Sequence, residues 1–154
     1  MNQAHLHLLV NHLPIVGSLF AAVLLGAGLL KRNVSLTKAG LVAVLVAGLL
    51  CLPAQLTGEG AAFVMQDPHG IGRRLILAHA AAAELGFWAL EGAAALALFG
   101  LLLLKNASPK APLLAWVTLG AALLSFGLLA RAGSLGGLIG HPEIREGHDR
   151  PVQL

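Results

Sequence analysis

The sequence predicts an all-α protein, a transmembrane antiparallel four-helix bundle, and three observations carry that prediction. Of 154 residues, 57% are hydrophobic and 11% charged, against roughly 45–50% apolar and about 25% charged in soluble globular chains. So little charge cannot cover a water-exposed globule, whereas lipid requires no such cover. The apolar residues also fall into four runs long enough for a hydrocarbon layer of about 30 Å. The third observation is the punctuation: Lys31, Arg32, Lys38, Lys105 and Lys110 sit in two short links with no acid between them.

The first run, residues 8–30, ends at Lys31 and Arg32, and Pro14 is expected in its first turns, where a missing N–H costs least. The second, residues 39–56, carries small residues for close helix approach, and Pro53 is expected to bend its end. Residues 57–74, TGEGAAFVMQDPHGIGRR, are rich in glycine and charge and read as an exposed connection. The third run, residues 75–104, is long for a simple span, so tilt or protrusion must absorb the excess. The fourth, residues 112–130, opens with Pro112 in a favourable first-turn position. It gives way to the glycine-rich RAGSLGGLIGHPE and a polar tail over about 141–154. A single domain, 1–154, is expected, with no internal repeat.

Excess lysine and arginine marks cytoplasmic loops, so the links at 31–38 and 105–110 should be cytoplasmic. Both termini and the 57–74 link then face the periplasm of a bacterial inner membrane that the chain crosses several times. In this setting the pI of 9.6 and net charge of +3 report topology, and nucleic acid is not expected as a partner. The first run is too long for a signal-peptide h-region and lacks a basic n-region and cleavage site, so it should be retained. The lone Cys51 forms no internal disulfide and reads as a small packing residue.

All seven histidines, His5, His7, His12, His69, His79, His141 and His148, fall at the periplasmic end of this topology, which hydropathy and loop charge define without them. That segregation points to a site. His5 and His12, seven apart, share a helix face within roughly 20°, with Asn11 beside His12. His7 points to another face and reads as interfacial, and His69 and His148 are the other weak members. His12 and His79 enter facing spans from the same side by similar amounts, so two imidazoles can meet at one depth. Ala82, Ala83, Gly86, Ala93 and Ala94 near His79 leave room for a flat macrocycle or for close helix packing.

Glu84 and Glu91 are ionisable groups at membrane depth, costly by about 2.5–3.5 kcal/mol on insertion scales, and should point inward. They lie roughly 140° around the helix from His79, which suits a proton path or polar contact, with Glu59 and Asn11 as further relay candidates. Arg73, Arg74, Arg131 and Arg145 lie near the same face, where guanidinium groups hold either haem propionates or lipid phosphates. There is no C-x-x-C, C-x-x-C-H or H-E-x-x-H, and no Walker loop, dinucleotide fingerprint or nucleophile elbow. Covalent c-type haem, catalytic zinc and hydrolase chemistry have no support.

The stretches His5-Leu-His-Leu-Leu-Val-Asn-His12-Leu-Pro-Ile, Leu-Thr57-Gly-Glu59, His79 and Gly-Gly-Leu-Ile-Gly-His141-Pro-Glu-Ile resemble those of a bacterial four-helix membrane family. It is known as domain of unknown function 2231, and the likeness covers nearly the whole chain. Relatives often carry an acid directly after the histidine of span three, where Ala80 stands here, which disfavours a dinuclear carboxylate site. The resemblance implies the fold and the membrane but no activity, and a likeness to small b-type cytochromes is analogy.

The expectation is therefore a b-type cytochrome-like electron-transfer protein, a redox component if it is an enzyme at all. Haem b would lie between His12 and His79 as axial ligands, with His5 and His141 as substitutes and Arg73 and Arg131 at the rim. Quinone or a periplasmic redox protein would be its partner. Two alternatives stand: a protein binding or transporting copper or zinc through His5, His12, His79 and His141, and a structural or assembly subunit of a homo-oligomer or larger membrane complex.

Overall fold

A computed structural model describes residues 2–65 and 71–145. The described residues form α1 (Gln3–Val10), α2 (His12–Leu30), α3 (Val34–Val64), α4 (Ile71–Lys105), α5 (Ala111–Gly140) and a 3₁₀ turn (Pro142–Ile144), with no strand among them. His69, His148 and most of the polar tail lie outside the described residues. The architecture is the expected all-α bundle of four long apolar helices. Each has the length and composition to cross a membrane once α1 and α2 are counted together.

The elements depart from the expected boundaries in three places. The first helix starts at Gln3, capped by the Asn2 side chain accepting from His5 N at 2.9 Å. Pro14 is therefore interior rather than in the first turn. It has no N–H for the Val10 carbonyl and its ring crowds that carbonyl, so the hydrogen-bond ladder is interrupted at Asn11 between α1 and α2, while the Asn11 backbone stays helical at φ −66° and ψ −23°. The second helix does not end near Leu56: α3 runs through Pro53 to Val64, so TGEGAAFV is helical rather than an exposed connection. The fourth helix likewise continues through the glycine-rich stretch to Gly140, where Arg145 donates to the Leu138 and Ile139 carbonyls at 2.7 and 3.0 Å. These are terminal carbonyls that no further helical turn would satisfy.

The bundle is built on backbone proximity. A Cβ on Gly40 would fall on the backbone of Leu25, 2.6 Å from its N, and one on Gly28 would lie 2.5 Å from Thr37 N. The α2–α3 hairpin therefore closes with almost no side chain between its helices. Around it Ala21, Ala22, Leu25, Leu41, Val44, Ala93, Ala97, Ala115 and Ala122 form the lower core, and Ala47, Cys51, Phe87, Leu90 and Leu129 the upper. The buried hydroxyls of Thr37, Thr118 and Ser125 each donate to a carbonyl one turn back, and Ser18 to Ile15. They satisfy themselves locally, leaving apolar contact to join the helices.

Large apolar side chains face outward along the helices, among them Val16, Phe20, Val23, Trp88, Phe99, Leu113 and Leu124, as lipid contact demands. The turns after α2 and α4 each place one residue at positive φ, Arg32 at 51° and Ala107 at 50°. Asn33 N then reaches Gly28 O, and Ser108 N reaches Leu103 O, both at 2.9 Å, the hydrogen-bond pattern of a Schellman stop. Counted from these turns, a 30 Å layer takes up about 20 residues of each helix. The last turns of α3 and α5, the first turns of α4, and all of α1 stand above it.

Candidate functional site

Those protruding turns enclose a cavity of about 570 Å³ with contributions from all five helices, within the usual range for small-molecule sites. Its floor is apolar, with Ile15, Cys51, Phe87 and Leu129, and its upper wall carries His7, Asn11, His12, Glu59, His79, Glu84 and His141.

His7 and His79 are the residues the fold brings together. Their ring centres are 6.2 Å apart with the planes at 86°. Each ring is pinned from behind. His79 Nδ1 is 2.8 Å from the Ala132 carbonyl, which can only accept, so Nδ1 carries the proton. His7 Nδ1 is 3.0 Å from Thr57 Oγ1. The Thr57 hydroxyl already donates to Pro53 O at 2.8 Å, with Ala54 O at 3.2 Å, so it accepts from His7. A neutral ring whose Nδ1 donates in this way keeps the Nε2 lone pair for a ligand. This is the tautomer that an outer oxygen acceptor imposes on metal-binding histidines.

Local sequence explains the placement. α1, continuing α2, packs along α3. There a Cβ on Gly60 would come within 2.8 Å of Gln3 Cγ, and the edge of His7 lies over Gly58. On the other side, Gly136 presents no side chain where a Cβ would stand 3.3 Å from His79 Cε1 and Nδ1.

The expected pairing of His12 with His79 is not the contact formed. His12 is exposed at the cavity edge, on the same outward face as His5, while the face carrying His7, Asn11 and Pro14 turns inward. His5 is exposed and does not line the cavity. His141 reaches the rim, where its Nδ1 lies 2.8 Å from Glu143 Oε1. Arg73 and Arg131 are exposed and outside the lining, and Arg145 spends its guanidinium on α5.

Asn11 Oδ1 is buried without a hydrogen-bond partner among the described residues, and Glu59 and Glu84 lie exposed at the cavity wall. Glu91 sits below, against α3. Thr57 was not singled out by sequence reasoning as part of the site, although it lies in the Thr57-Gly-Glu59 element. Among the described residues no group of three or more His, Cys, Asp or Glu is placed to hold a metal ion.

Compared with protein-family models, curated proteins and solved structures, the chain matches none.

Proposed function

We propose that the protein is a membrane-embedded b-type haem protein that relays single electrons at the cavity face, with His7 and His79 as axial ligands. The observation that carries this reading is the pair of imidazoles from opposite walls, each with Nδ1 committed to an oxygen and Nε2 unshared. The ring centres are 6.2 Å apart, and the Nε2 atoms of His7 and His79 would be the groups to hold the haem iron. Haem supplies four further nitrogens and a one-electron couple. A bare copper or zinc ion, lacking those nitrogens, has no third His, Cys, Asp or Glu converging on it among the described residues.

The chain's own part is to hold both rings in one tautomer, to surround them with the apolar Ile15, Phe87 and Leu129, and to leave Glu59 and Glu84 at the wall for proton exchange. The lysines at the opposite end support a cavity facing the periplasm of a bacterial inner membrane. There quinone or a periplasmic redox protein is the electron partner.

The test is the optical spectrum of the protein purified from haem-replete cells, before and after dithionite. A Soret band is expected in the wild type, lost in His7→Ala and His79→Ala and kept in His12→Ala and His5→Ala. Wild-type protein without a Soret band, but with stoichiometric copper or zinc by elemental analysis, would replace the haem reading with the metal one. Reporter fusions after Leu154 and at Ser108 should read periplasm and cytoplasm respectively.

A further inference from the structure

Residues 13–30, 39–58, 80–104 and 111–130 contain only three ionisable side chains, Cys51, Glu84 and Glu91. Glu84 lines the cavity. Glu91 is deeper, about 18 Å of helix below His79 and about 21 Å from Lys105 at 1.5 Å per residue. One of its carboxyl oxygens, Oε1, is buried with no hydrogen-bond partner among the described residues. The carboxyl lies against Gly48 of α3, where an added Cβ would stand 3.7 Å from both of its oxygens. No lysine, arginine or histidine lies in these stretches to neutralise it, and a charge held in an apolar bundle without a partner is costly.

Glu91 is half-buried and does not itself line the cavity, and the polar groups nearest to it lie on the cavity side. Cys51, one turn along α3 from Gly48, forms part of the cavity floor, and Glu84 stands two turns above Glu91 on nearly the same face of α4. Below it, residues 92–104 are only Gly, Ala, Leu and Phe. The buried hydroxyls of Ser18, Thr118 and Ser125 donate to carbonyls of their own helices, so they offer no chain of donors toward the lysine end.

We propose that Glu91 is a proton-binding site beneath the cavity floor, loaded and emptied from the cavity side. The proposal does not rest on the haem reading and holds whatever ligand the cavity takes.

Two measurements test it. In infrared spectra at neutral pH, the carbonyl stretch of a protonated carboxyl is expected in the wild type and in Glu84→Gln, shifting in D₂O, and lost in Glu91→Gln. Retained helical circular dichroism in Glu91→Gln shows that the loss is not unfolding. For sidedness, dicyclohexylcarbodiimide adds to a protonated carboxyl and rearranges to a stable N-acylurea that mass spectrometry locates. In membrane vesicles of both orientations, with inner and outer pH set apart, adduct yield at Glu91 should rise with acidity on the cavity side only. Absence of the infrared band, absence of the adduct, or a yield that follows the pH of the lysine side overturns the proposal.

Discussion

The Thr57 hydroxyl, its proton given to the carbonyls of α3, accepts a hydrogen bond from His7 Nδ1 at 3.0 Å. Thr57→Val removes this acceptor, leaves the half-buried His7 ring only its contact with the Ala54 backbone and loosens the tautomer. Loss of such an outer partner typically weakens ligand binding about 10–100-fold. Haem titration of the purified variant should show a weakening of that order, with Thr57→Ser restoring affinity. Unchanged affinity in Thr57→Val would mean that this hydrogen bond does not position the ligand.

Gly136 separates binding from folding. A Cβ there would be 3.3 Å from His79 Cε1 and Nδ1, tight enough to move the ring by a few tenths of an ångström. The substitution also gains helix propensity, about 1 kcal/mol at most. Gly136→Ala should therefore fold at least as stably as the wild type while binding ligand several-fold more weakly, and Gly136→Val should bind still less. Thermal unfolding and ligand titration on the same sample check both halves.

Gly40 has no such latitude, because its Cβ would meet the backbone of Leu25. Gly40→Ala must spread α2 from α3 and should cost about 1–3 kcal/mol, the range for overpacking. Gly120→Ala, with nothing within 4 Å, is the control and should be neutral or slightly stabilising. Unfolding titrations from mild detergent into dodecyl sulfate would rank the two, and equal stabilities would contradict the close hairpin.

Ala107 holds φ at 50°, a conformation that costs an L-residue roughly 1–2 kcal/mol and glycine little. Ala107→Gly should raise stability by about 1 kcal/mol in the same titration and leave ligand binding untouched.

Hydropathy and charge, summed over a run of residues, made the four spans and the two lysine-bearing turns legible, as well as the gathering of histidines at one end. The same local reading failed where long-range contacts decide. Residues 57–64 and 131–140 have the composition of connections, yet they remain helical where Gly60 receives Gln3, Thr57 receives His7 and Gly136 receives His79. His5 and His12 do share a helix face, as the wheel predicts, but that face is the exposed one. The face that turns inward carries His7, Asn11 and Pro14, and which face packs is decided by contact with α3. His79 lies on the unbroken α4 and lines the cavity. Glu91 was legible as an inward carboxyl, but its position against Gly48 needed the packing of α4 on α3.

The cavity is walled by turns that outlast the hydrocarbon layer, so its wetness belongs partly to the lipid. One helical turn is about 5.4 Å, comparable to the thickness differences among natural bilayers, to which helices adapt by tilt or local deformation. In short-chain lipid more of those turns stands in water, and in long-chain lipid more of them sinks among headgroups, so acyl-chain length is expected to set how wet the surroundings of His7 and His79 are.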